Sequence, residues 1–143
     1  MSSIPNLSTT EFQMVLSAAP LVVVDVAAVR DGKVALVKRG TVPFSGCWHI
    51  PGGFLHFGET FPDAVSRIIK DECGLTVGHC KFLGVKSLYG RDPRGHLINL
   101  LYTSSVDGDL VARPGEEVAW FDPDKLPTPF LHYQVAQVWR AFE

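Results

Sequence analysis

The sequence predicts an α/β or α+β protein in which helices pack on a mixed sheet, and three observations predict it. The apolar run LVVVDVAAV, starting at Leu21, reads as a strand buried on both faces and therefore central in a sheet. The segment from Phe61 to Glu72 sets Phe61, Ala64, Val65, Ile68 and Ile69 on one side of a helical wheel. Strand-like and helix-like stretches are mixed along the chain, the pattern of helices layered on a sheet.

The elements follow in order. Ser8-x-x-Glu11 is a capping-box pattern ahead of Phe12, Val15 and Leu16 at helical spacing. Pro20 leads into the first strand, Asp31-Gly32 is a hairpin signal, and KVALVKR is a second strand running to Arg39. A loop rich in glycine, proline and aromatic residues spans Gly40 to Gly58. Thr60-x-x-Asp63 and Pro62 open the main helix, and Gly74 stops it. Strands are expected around Lys81–Leu88 and His96–Ser104, joined by a turn at Asp92–Gly95, and a shorter one at Val118–Phe121. Leu131, Val135, Val138 and Phe142, spaced four, three and four apart, predict a closing amphipathic helix.

A chain of 143 residues is long enough to close a core and is expected to form one domain over residues 1–143. Its 46% hydrophobic and 20% charged residues are those of a soluble globular protein. The net charge of −2 argues against a nucleic-acid polymer or an anionic membrane as partner. The longest apolar run, Ala18 to Val29, is interrupted by Asp25 and too short to span a bilayer, and no secretory signal precedes it. Cys47, Cys73 and Cys80 form no C-x-x-C pair and read as free thiols in a reducing cytoplasm, with zinc ligation or a nucleophile as the alternatives.

The main helix contains an electrostatic contradiction. Glu72 falls within its apolar sector and Asp71 at the edge, yet both stand in the last turn, where backbone carbonyls are already partly negative. Each acid there costs on the order of 0.3–1 kcal/mol through the dipole alone, and burial adds to that. A bound cation removes the conflict; hard oxygen donors favour Mg²⁺ or Mn²⁺ over zinc. The alternative is neutralisation by Arg67 and Lys70, which serves Asp71 and leaves Glu72 unserved. Gly52 and Gly53 would let a backbone carbonyl approach an ion, or would simply make a turn.

Other residues have two readings each. Asp25 in an apolar strand needs a partner, a lysine or backbone donors, or else meets substrate. Arg39 either clamps a phosphate or is solvated. Trp48, Phe44 and Tyr89 are candidates to stack a base, with core packing the competing role for Trp48. His56 is either a general base or an exposed loop histidine, and the other histidines form no constellation.

The stretch GGFLHFGETFPDAVSRIIKDECGL resembles the Nudix box, G-x5-E-x7-R-E-U-x-E-E-x-G-U, where U is bulky and aliphatic. Gly53, Glu59, Arg67, Ile69, Glu72, Gly74 and Leu75 match, Asp71 is a conservative replacement, and the family's first helix glutamate is Ile68 here. WHIPGG and AWFDPDKLP resemble the family's flanks. The resemblance implies an α/β/α sandwich that hydrolyses a nucleoside diphosphate linked to another group, with Asp71, Glu72 and the Gly53 carbonyl holding Mg²⁺ or Mn²⁺. It implies that Glu59 orients Arg67, and that Glu116 or Glu117 in the loop before Trp120 binds metal or activates water; solvated loop acids are the alternative. SAAPLVVVDVAAV also resembles GDP-mannose mannosyl hydrolases, which lack the same glutamate and whose pattern puts Arg39 and Arg67 on the phosphate side. Their arginine after the double glycine is Phe54 here, and the loop supplying their histidine base reads ARPGEEVAW. The expected partner is a small nucleotide, with a homodimer suggested by the family and the N-terminal helix. Loss of turnover with Ile68, leaving a nucleotide-binding or sensor module, is the competing expectation.

Overall fold

The computed structural model describes residues 4–42, 44–90, 95–131 and 134–143. Helix α1 (Thr9–Ala18) precedes the hairpin of β1 (Leu21–Arg30) and β2 (Lys33–Lys38). Two short strands, β3 (Trp48–His49) and β4 (Gly52–Phe54), lead into α2 (Phe61–Cys73). Then come β5 (Thr76–Leu88), β6 (Leu97–Asp107), β7 (Glu117–Phe121) and α3 (Val135–Arg140).

The sheet is mixed and runs β3-β2-β1-β6-β5, with β4 paired to β1 and β7 to β2. β1 is central, as its two-sided apolar sequence predicts: it pairs with β6 in parallel and with β4 and β2 antiparallel. Asp31 and Gly32 both have positive φ, 53° and 75°, as the tight hairpin requires.

Successive β1 residues point to opposite faces, and the core divides accordingly. Val24, Val26 and Ala28 pack with Ala64, Val65, Ile68 and Ile69 of α2. Val23 packs with Phe54 and Leu97, with Phe12 of α1 against them, and Ala27 packs with Val138 of α3. Helices therefore cover both faces, an α/β/α sandwich. Each fully buried aliphatic side chain of α2 contributes about 1.5–3 kcal/mol. Among the described residues, no helix is long and apolar enough to cross a membrane.

The local signals of the two larger helices are realised. Ser8 and Glu11 form the reciprocal capping box; Thr60 caps α2 by accepting from the Asp63 N–H, and Gly74 ends it at φ 73°. Several expectations are revised. The loop expected over Gly40–Gly58 contains β3 and β4, so Gly52 and Gly53 lie in a strand and not in a turn. β2 stops at Lys38, while β5 and β6 are longer than expected because they pair along most of their length. Phe61, assigned to the apolar face, is 44% exposed. Among the described residues of the closing amphipathic segment, six are α-helical, Val135–Arg140. Asp92–Arg94 of the expected turn lie outside the described residues.

Candidate active site

Burying one α2 face carries Glu72 inward with Ile68, Ile69 and Cys73, leaving the carboxylate 3% exposed. It has two partners. The Gly52 N–H donates to Oε2 at 2.6 Å, and Arg113 Nη2 donates to Oε1 at 3.1 Å. Arg113 also donates from Nε to Glu116 Oε1 at 2.5 Å, so one guanidinium bridges two acids. Burial pushes the Glu72 carboxyl up to about 7, although Arg113 and the Gly52 N–H both favour its charged form. Arg113 is held above its ordinary value. Burial pulls it down, but the Glu116 hydrogen bond and the charges of Glu72, Glu116 and Asp71 outweigh burial.

Gly52 joins this cluster to a second buried carboxylate. It pairs with Asp25 across β4 and β1, and a Cβ there would lie 2.1 Å from Asp25 Oδ1. The close approach, and not a turn, requires glycine. Asp25 Oδ2 accepts from Asn99 Nδ2 at 2.6 Å and Gln134 Nε2 at 3.4 Å. Gln137 Nε2 donates to Asn99 Oδ1 at 2.7 Å. These partners are side-chain amides from β6 and from the N-cap of α3.

Arg67 is half-buried and paired with Glu59 through two hydrogen bonds of 2.6 and 2.9 Å. Its Nη2 also donates to the Phe54 carbonyl at 2.9 Å, and Glu59 accepts from the His56 N–H at 3.1 Å. The Arg67 hydrogen bonds hold the Glu59 carboxyl below its ordinary range. Arg67 is thus bonded to Glu59, whereas the alternative reading of the helix acids assigned it to Asp71. Asp71 itself is exposed at the end of α2.

The remaining candidates separate. Of the two loop acids, Glu116 joins the cluster, while Glu117 is exposed in β7 opposite Lys38. Arg39 is 6% exposed, against the solvated alternative, and donates toward the Thr41 and Val42 carbonyls at 3.3 and 3.4 Å. Trp48 packs edge-on to Phe121, centroids 4.9 Å apart. Tyr89 is exposed beside His96. Ile68 lies in the core, 3.4 Å from where a Gly53 Cβ would stand. The cysteines are free, and burial pushes the Cys73 thiol well up, which disqualifies it as a nucleophile.

Sequence reasoning missed Arg113 and His49. A cation three residues before Glu116 was the available signal for the first. His49 is buried, its Nδ1–H donates to the Ile50 carbonyl at 2.6 Å, and desolvation lowers its pKa to about 4. Among the described residues, no three His, Cys, Asp or Glu side chains stand close enough to cage a metal. Glu72 and Glu116 nevertheless meet at one cation, the Arg113 guanidinium, and their oxygens are hard donors of the kind a divalent ion takes.

A family model described as NUDIX domain matches residues 19–141. The chain is 44% identical over 110 residues to an ADP-ribose pyrophosphatase of Methanocaldococcus jannaschii, covering 76% of this chain and 65% of that protein. It is 31% identical over 111 residues to an NAD-capped RNA hydrolase of Escherichia coli O157:H7, covering 76% of this chain and 41% of the relative. It thus spans less than two thirds of the length of either curated relative. A crystal structure of a MutT NUDIX hydrolase from Burkholderia pseudomallei superposes with a TM-score of 0.77 at 29% identity, covering 85% of this chain and 98% of that one.

Proposed function

Because this chain belongs to the NUDIX domain family, we propose that it hydrolyses the pyrophosphate bond of a nucleoside diphosphate joined to another group, using Mg²⁺ or Mn²⁺. The substrate class is a nucleotide sugar, and the similarity to an ADP-ribose pyrophosphatase supports ADP-ribose as the first one to test. The observation that carries the reading is the meeting of Glu72 and Glu116 at one guanidinium, Arg113, with Glu72 also held by the Gly52 N–H.

Asp71, Glu72 and the Gly53 carbonyl would hold the ion, with Glu116 beside them. When bound, such an ion neutralises the diphosphate and lowers the pKa of an attacking water. The chain's own groups do the rest. The Gly52 N–H fixes one Glu72 oxygen, and Arg113 holds the other. Glu59 holds Arg67, and Arg67 holds the Phe54 carbonyl, so the segment between β4 and α2 is locked to the helix on the phosphate side. Arg39 supports the same side from the end of β2. Glu116 takes the proton from the attacking water, with Glu117 and His56 as the other candidates. The free cysteines agree with a cytoplasmic location.

The test is turnover of nucleotide sugars, dinucleotides and nucleoside triphosphates with Mg²⁺ or Mn²⁺ in ¹⁸O-labelled water. Label is expected on a phosphate, and Glu72→Gln is expected to lower metal-dependent turnover by more than roughly 100-fold, the upper end of what a supporting residue costs. Undiminished turnover in that variant overturns the assignment. One observation favours a second reading, a non-catalytic nucleotide-binding module: Ile68 is sealed in the core where the family carries a glutamate. Nucleotide-dependent thermal stabilisation without any product would select it.

A further inference from the structure

Glu72, at the C-terminal end of α2, is paired with a cation 41 positions further along the chain, Arg113. Arg113 lies in the segment between β6 and β7, and that segment is docked on the end of α2. The Val111 N–H donates to the Cys73 carbonyl at 2.8 Å, and Gly74 leaves room for Val111, whose Cβ would lie 2.7 Å from a Cβ at position 74. Two residues past this anchor, the guanidinium meets the partly negative end of the helix, the buried Glu72 and Glu116 together.

We propose that Arg113 is a built-in cation that competes with the divalent ion for Glu72, so that an incoming ion must draw Glu72 away from it. The inference rests on the metal-dependent reading above and deepens it. Arg113 bonds to Oε1 of Glu72, which would hold the ion, and to Oε1 of Glu116 beside it. The guanidinium takes acceptor sites on Glu72 and repels a divalent ion brought to the same carboxylate, so the two compete. The linkage is then fixed in sign. Whatever the Arg113 pairs contribute to the metal-free protein is subtracted from the apparent metal affinity. Arg113 thereby keeps a buried carboxylate from standing unpaired and raises the threshold an ion must exceed, a selectivity filter against weakly held cations.

The test uses the full chain, stripped with chelator, and follows Mn²⁺ binding by the paramagnetic resonance of the free ion, with melting curves in chelator and in Mn²⁺. Arg113→Met keeps the stem and removes the charge. It is expected to melt below wild type in chelator, to bind Mn²⁺ roughly tenfold tighter or more, and to gain more on Mn²⁺ addition. Arg113→Lys, which keeps the charge but not the two-armed fork, is expected between the two, and carries the test if the Met variant does not fold. Wild-type or weaker Mn²⁺ affinity in folded variants overturns the inference while leaving the metal-dependent reading intact. Absence of Mn²⁺ binding in every form, wild type included, overturns both.

Discussion

His49 is 6% exposed, and desolvation, the largest influence on it, lowers its pKa from 6.5 to about 4. A histidine whose folded pKa is depressed contributes stability that is present above its unfolded value and lost as pH falls through the folded one. The window is therefore pH 6.5 down to about 4, and the loss amounts to roughly 3 kcal/mol. Urea melts of the chelated protein between pH 7 and 4 are expected to show this acid limb, and His49→Gln to flatten it whatever its stability at pH 7. An equally steep limb in the variant assigns the effect to another group. At this scale the sequence was partly legible. The misplacement of Glu72 was visible because the helical wheel and the dipole are both local rules. Its partner was not, because Arg113 reaches α2 only through a tertiary hydrogen bond at Val111. The amides around Asp25 come from 74 and 109 residues away, beyond any local pattern.

α2 was the most legible element, since its start, its stop and its apolar face are all written within it. Its two ends make separate predictions. Thr60→Ala removes the side-chain cap and is expected to cost about 1 kcal/mol, most of it recovered by Thr60→Ser. Gly74→Ala is expected to cost more, about 1–3 kcal/mol, because φ is 73° and the new Cβ would meet Val111. Chemical denaturation gives the ranking directly, and a Gly74→Ala cost at or below that of Thr60→Ala would contradict the docked segment. The short strands were illegible for a physical reason. β3 and β4 have two and three residues, too few for an alternation to register, and exist because β2 and β1 offer them an edge. α3 was overextended because a spacing of four and three records burial, and Leu131 is buried without being helical.

Across the whole molecule, Asp25, Asn99, Gln134 and Gln137 tie β1, β6 and α3 together through buried hydrogen bonds. Gln134 also accepts from the Ile50 N–H at 3.0 Å. Removing Asp25 takes the acceptor from the Asn99 and Gln134 amide N–H groups while they stay desolvated. Asp25→Ala is therefore expected to cost about 2–4 kcal/mol and to loosen α3 selectively. Amide hydrogen exchange resolves this; uniform loss of protection over all elements would mean that the network does not hold α3. The layered fold was legible because β1 announces its own burial, whereas the strand order was not, since pairing partners leave no mark on a single strand. The parallel ladder from Leu21–Leu97 to Val29–Ser105 joins each residue to one 76 positions later. During synthesis, β1 emerges early and waits for most of the chain before this neighbour exists. A nascent chain that stalls before Leu97 presents the Leu21–Val29 edge of β1 with no β6 to cover that side. Closing so long a loop is costly before any contact rewards it, so assembly of the sheet is set by the arrival of β6. Premature termination products are therefore expected to be the species that quality-control machinery must capture, even where the finished protein is stable.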